Sequence, residues 1–337
     1  MPAEGKVVPW HRCLLVALPG WAVARLIVLS TFALAERPSA LVWDAAWYHD
    51  LGVRGYGPYG SEGTRFFPLL PAAVAVGAGL GVPVRLWQLV VCWVAALFFA
   101  AALVRLTVRE TGDEKAGHRV AWLIQLVPGA NVLALGYAEA LAGLLAVLYF
   151  LALRSAVAPR SVGIGVAAGV LAGLARPTGP LLALPGLVEA VRSGRGDADG
   201  RGTGDRGKDE KQTKDKDKKQ GEDKKQGKDE KRGPDGDRGR DADRGGAKGR
   251  GGARWGLGLV ALAPLVGTGG YLAWAWWAFG DPLTPYRVHP VPGLHEAPGE
   301  LLLRPPSDSY PWALILALLV ATGVALYLCG RRLPFAY

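Results

Sequence analysis

The chain has 337 residues, half of them hydrophobic, with 12 tryptophans and a mean hydropathy of +0.18. Its net charge of +10 is segregated, because residues 192–254 hold 21 of the 39 Lys and Arg and 15 of the 29 Asp and Glu. A basic balance confined largely to a mixed-charge run with no interleaved aromatic residue is weak evidence for nucleic-acid binding, and an apolar remainder this large excludes an ordinary soluble domain.

In chain order, Lys6 and Arg12 precede an apolar segment over 13–35. It has the outline of a signal peptide, but about 20 apolar residues suffice to span hydrocarbon, and no small-residue cleavage site precedes Glu36-Arg37-Pro38. A retained first helix is the expectation. Residues 36–84 follow as a loop that includes a shorter apolar run over 66–82, broken by Pro68, Pro71 and glycines, whose length suits a re-entrant or interfacial helix as well as a full span. Further apolar segments cover 85–107, 119–136, 138–154, 162–175, 178–191, 255–279 and 311–329.

If 66–82 does not cross, the loops alternate in charge. The short loops 105–119 and 154–160 are basic, and the positive-inside rule puts them in the cytoplasm. The predicted fold class is therefore all-α, a polytopic membrane bundle of about eight transmembrane helices with interfacial helices in the first outer loop. The expected organisation is an N-terminal bundle over 1–191 with outer loop 36–84, a charged cytoplasmic linker over 192–254, and a C-terminal membrane segment over 255–337 with outer loop 280–310. The linker contains near-repeats such as Asp223-Lys224-Lys225-Gln226-Gly227-Lys228 and buries too little apolar surface to offset its ordering entropy, so it reads as a disordered spacer. Cys13, Cys92 and Cys329 lie inside apolar segments, with no disulfide or zinc spacing, and read as buried hydrophobes.

On this topology a set of polar residues converges on the outer face. Asp44 and Asp50 lie in the first outer loop, Tyr137 and Glu139 at the turn near 136–139, Arg176 before Pro177, and Asp281 and Tyr286 after the 255–279 segment. Ionisable residues at membrane depth are costly and normally have a pairing or functional reason. A helix over 44–51 puts Asp44 and Tyr48 on one face and Trp43 and Trp47 on the neighbouring one. An acid beside aromatic rings is the chemistry of a sugar site, in which the rings stack on a pyranose and the carboxylate takes a proton from an attacking hydroxyl. The competing reading is that Asp44 caps its helix and the tryptophans form an interfacial belt. Arg176 sits at a helix break suited to a phosphate. Arg25, midway along the first helix, faces a lipid phosphate, pairs with an acid such as Glu139, or serves a structural ion pair. His49, His289 and His295 have no metal-ligand spacing.

Several motifs taken together resemble the PIG-V-like mannosyltransferases, membrane glycosyltransferases of the GT-C class. They are Trp43-Asp44-x-x-Trp47-Tyr48 with Gly55-Tyr56 and Phe66-Phe67-Pro68-Leu69-x-Pro71, then Gly136-Tyr137-Ala138-Glu139-Ala140-Leu141, Ala175-Arg176-Pro177-Thr178-Gly179 and Phe279-Gly280-Asp281-Pro282-Leu283. The resemblance implies a polyprenyl-phosphate-linked sugar donor, usually mannose, used on the extracytoplasmic face with inversion. It implies Asp44 as the catalytic base. Arg176, with Arg65, would partner the phosphate, and Trp43, Trp47, Tyr48, Asp50, Tyr137, Glu139 and Asp281 would line the substrate. No cofactor is expected, and a divalent metal has no support in the sequence.

The usage of Ala, Gly and Arg points to a bacterium, hence the cytoplasmic membrane as location and an envelope glycolipid, glycan or protein as acceptor. Relatives of this kind continue with further membrane helices after a segment like Arg332-Leu333-Pro334-x-x-Tyr337, so a C-terminally shortened product is expected. The alternatives are a non-catalytic protein of the same fold and a lipid or solute transporter. A transporter would show internal repeats, and none is visible.

Overall fold

A computed structural model describes residues 8–34, 41, 43–155, 159–192 and 240–287. Among them every regular element is helical. Ten α-helices follow in order: α1 (Trp10–Leu34), α2 (Asp44–Arg54), α3 (Leu69–Gly79), α4 (Val84–Thr111), α5 (Glu114–Leu126), α6 (Glu139–Leu153), α7 (Pro159–Ala175), α8 (183–192), α9 (Arg240–Phe279) and α10 (Thr284–Arg287). Short 3-10 segments cover Gly57–Arg65, Ala130–Leu133 and Gly179–Leu182.

Among the described residues three helices are long and apolar enough to cross a membrane, Trp10–Leu34, Val84–Thr111 and the Trp255–Phe279 part of α9, where seven of the eight expected crossings fall. The segments over 119–136 and 178–191 are interrupted, at Pro128-Gly129 and at the 3-10 turn before α8, and α6 and α7 are apolar but shorter. The expected crossing at 311–329 and most of outer loop 280–310 lie outside the described residues. α3 has 11 residues, about 16 Å of helix and roughly half of what hydrocarbon requires. It folds back beside α4, where the Trp87 indole donates to Ala73 O at 2.8 Å. Of the spacer expected over 192–254, residues 193–239 lie outside the described residues, and α9 starts at Arg240. Extending a helix already anchored by packing needs no new nucleus.

Side-chain sizes are distributed as a lipid-facing bundle requires. Inside, α1 and α4 present small residues, including Ala17, Ala24, Ala95, Ala96 and Ala100 to Ala102. Outside, α4 carries an exposed apolar stripe of Leu86, Val90, Val94 and Phe98. In lipid, helix association depends on close packing and interhelical hydrogen bonds, which favours small residues inside. On α9, Trp255 and Trp277 are both more than three-quarters exposed. They stand 22 residues apart, about 33 Å along the helix, the spacing of two aromatic belts.

α4 is central and touches α1, α3, α5 and α6. Its end is a compact turn in which Gly112 takes φ +72° and Asp113 accepts the Lys115 N–H at 2.7 Å to start α5. The basic end of the bundle is tied by Arg154 to Glu110 (3.1 Å) and Glu189 (3.5 Å), and by Arg109 to Ser155 Oγ (2.6 Å). α9 is locked onto α7 through Gly165, Gly169 and Gly173. A Cβ at Gly173 would stand 2.2 Å from Pro264 O, and one at Gly169 would stand 2.8 Å from the Ala263 methyl. The Thr268 hydroxyl donates to Gly173 O at 3.0 Å. The helix beyond the charged insertion therefore belongs to the same packed unit as the helices before it.

Candidate functional site

The end of the bundle opposite the basic one is where α1 finishes, α4 begins, and the turns before α6 and after α7 meet. Tight turns make this possible. Gly136 takes φ +77°, a conformation a Cβ disfavours, so the chain reverses within Gly136-Tyr137-Ala138 and α6 starts at Glu139. At Arg176 the α7 helix ends, and the Gly179 N–H closes a turn on Arg176 O at 2.9 Å. Glu139 and Arg176 form an ion pair, with side chains 27% and 38% exposed. A partly exposed pair of this kind adds little to stability and leaves the guanidinium reachable.

Asp44 is the first residue of α2, exposed, and makes no capping hydrogen bond. The capping position is Trp43, at φ 49° and ψ −123°. The reading of Asp44 as a helix cap is thus corrected, although its charge still favours the helix N-terminus. Burial raises the pKa of Tyr137, and the Asp44 carboxylate adds to the rise. Burial likewise raises Tyr48, helped by Glu139 and Asp44 and opposed by Arg176. Both phenols therefore stay protonated around neutral pH and serve as O–H donors.

A layer of aromatic residues lies beside this group. Trp47 stacks on Phe66 at 5.4 Å and 15°, Tyr59 meets Trp47 edge-on at 5.4 Å, and Tyr48 meets Phe66 edge-on at 5.1 Å. The Arg65 guanidinium lies 5.2 Å from the Trp47 ring and 4.8 Å from the Phe66 ring. Tyr271 on α9 donates to Thr64 O at 2.7 Å and stacks on Trp274, and Tyr286 reaches Pro177 O at 3.1 Å. α9 thereby joins the loop after α2.

The structure brings together Asp44, Tyr48, Tyr137, Glu139 and Arg176, with Trp47 and Arg65 in the adjoining layer and Trp43 at the rim. It does not bring Asp50 to them. Asp50 is six residues past Asp44 on α2, about 120° round the helix, and acts on His49 instead. Asp281 is occupied in its own turn, pairing with Arg287 and accepting the Leu283 N–H, both at 2.9 Å. Arg25 does not pair with Glu139 and is turned into the bundle. Only 4% exposed, it donates to Gln125 Oε1 at 2.5 Å and Leu133 O at 2.8 Å.

The residue that sequence reasoning missed is Gln88. It is fully buried, and its amide nitrogen donates to Ala45 O and Gly136 O, both at 2.9 Å. It thus links the helix carrying Asp44 to the turn carrying Tyr137 and Glu139. A lone amide inside an apolar segment was the available signal, because such a group is retained only where it finds partners.

An exposed carboxylate, an ion-paired arginine and two protonated phenols beside stacked rings can accept a proton, hold an anion and face a sugar ring. Among the described residues no three His, Cys, Asp or Glu side chains form a metal-binding group. No protein-family model, curated protein or solved structure matches the chain.

Proposed function

We propose that this chain is a membrane glycosyltransferase of the PIG-V-like, GT-C class, which moves a mannosyl group from a polyprenyl-phosphate donor to an acceptor hydroxyl on the outer face of a bacterial cytoplasmic membrane. The observation that carries the reading is the meeting of Asp44, Tyr48, Tyr137, Glu139 and Arg176 from three distant parts of the chain. The eight-crossing topology belongs to the same proposal, because it puts those three segments on one side.

In the proposed step an Asp44 carboxylate oxygen takes the proton of the acceptor hydroxyl. The acceptor oxygen attacks the anomeric carbon from the face opposite the phosphate, and the bond from that carbon to the phosphate oxygen breaks. The polyprenyl phosphate leaves with the electron pair. Arg176 meets the growing negative charge, and Arg65 lies in the next layer. Tyr48 and Tyr137 orient the sugar as donors, while Trp47 and Phe66 offer it a stacking surface. The atoms balance without a further co-reactant. Glu139 holds Arg176 until a phosphate competes for it.

The test is transfer of labelled mannose from polyprenyl-phosphate-mannose to envelope acceptors in membranes carrying the chain. Transfer that depends on the chain supports the reading. Its absence, with the protein folded and inserted, would overturn it.

A further inference from the structure

We infer that a second site, at the basic end of the bundle, binds the phosphodiester of a membrane glycerophospholipid. A cavity of about 320 Å³ opens there between the start of α1, the end of α4 and the start of α5. From Gln88, beside the outer site, to Val108 on the cavity wall is 20 residues of α4, about 30 Å along the helix. The two sites therefore lie near opposite faces of the hydrocarbon, and the inference does not rest on the proposed transferase activity.

The wall and the rim of this cavity differ in chemistry. Leu15, Val104 and Val108 give it an apolar wall, while Arg12, His118 and Glu114 stand at its polar side. Leu15 is two-thirds exposed, so the wall runs out onto the face of α1 that meets lipid. One lip is preformed. The Arg105 guanidinium donates to Val8 O and lies 5.0 Å from the Trp10 ring, which holds the chain just ahead of α1 in position. On the other side Gly117 brings α5 close against Val104 and Val108.

An amphipathic molecule with an anionic head fits this arrangement. Its phosphate meets Arg12 and His118 at the level where α1 enters the hydrocarbon, and its acyl chain continues along Leu15. Basic pockets between membrane helices at the headgroup level commonly take phospholipid heads. The Glu114 carboxylate on the same side of the cavity disfavours a doubly charged phosphomonoester or free phosphate relative to a singly charged phosphodiester.

The test uses the full chain in detergent with photoactivatable phosphatidylglycerol labelled in its acyl chain. Cross-links should map to peptides bearing Leu15 or Val104 to Val108. Labelling there should fall at least fivefold in the Arg12→Gln, His118→Gln double variant and recover in Arg12→Lys, His118→Gln. Unlabelled phosphatidylglycerol should compete, and glycerol phosphate at the same concentration should not. Labelling unchanged in the double variant, or spread evenly over the lipid-facing surface of α9, would overturn the inference. So would competition by glycerol phosphate alone, which would mark a soluble-phosphate site. Labelling that appears only after removal of residues 2–7 would make the chain's own N-terminus the occupant.

Discussion

The α7–α9 seam and the Asp44–Arg176 face both join segments from distant parts of the chain, by opposite means. The seam is built by taking side chains away: Gly165, Gly169 and Gly173 let α9 approach until Val260, Ala263, Pro264 and Thr268 fill the gap. The Asp44–Arg176 face is built by polar groups at helix ends, where turns release the backbone and a buried amide ties the pieces together. The difference shows how stability and chemistry are separated in this bundle. Close packing of small residues, with single hydrogen bonds such as Thr268 to Gly173 O, holds the helices. The Asp44, Glu139 and Arg176 side chains of this face sit where they are partly exposed and contribute little to holding them.

That separation can be broken experimentally, starting with the seam. Gly173→Leu must part α7 from α9 and should cost about 3 kcal/mol or more, read as a lower unfolding midpoint in detergent, with any transfer activity lost in proportion. Arg176→Ala should do the reverse. Transfer should fall roughly 100-fold, with the midpoint nearly unchanged because the ion pair is partly exposed. Gln88→Leu tests the join between the two behaviours. It leaves Ala45 O and Gly136 O without their donor and should cost about 2 kcal/mol while also loosening the site, so both the midpoint and transfer should drop. If Gln88→Leu left transfer intact, the link from α2 to the Gly136 turn would not matter for chemistry.

The smallest effect expected is one of pH. Burial lowers the His49 pKa, with Arg85 and Arg54 reinforcing the shift and Asp50 and Gln88 opposing it. The folded chain thus takes up this proton at a lower pH than the unfolded chain. Stability from this group is complete above its unfolded value of about 6.5 and is lost as pH falls from there through the folded value. His49→Gln should flatten the acid side of a plot of unfolding midpoint against pH. An unchanged slope would put the acid sensitivity elsewhere.

Much of the scaffold was legible because membrane helices announce themselves by length. α1, α4 and the Trp255–Phe279 part of α9 are unbroken apolar runs, and α3 is too short to cross. The encounter of Glu139 with Arg176 was legible for a related reason: helices joined by short turns alternate in direction, so the turns at 136–139 and 176–179 fall at one end. The roles of Asp50 and Asp281 were not legible, because loop residues in one neighbourhood need not face one point. Asp50 follows the turn of α2 away from Asp44, and Asp281 is held by Leu283 and Arg287. The seam was half legible. Glycines four apart mark a close-packed helix face, but nothing in α7 says that its partner lies beyond the charged insertion.

The most direct test of the division between scaffold and chemistry measures mannosyl transfer and unfolding midpoint side by side in the parent chain and in Asp44→Asn, which keeps the size of the side chain and removes its charge and basicity. Transfer should fall 100-fold or more, while the midpoint stays within about 0.5 kcal/mol of the parent, as for an exposed side chain without a capping bond. Transfer that survives the substitution, or a midpoint that falls with it, would contradict the account: the first would move the base to another group, and the second would make Asp44 part of the scaffold.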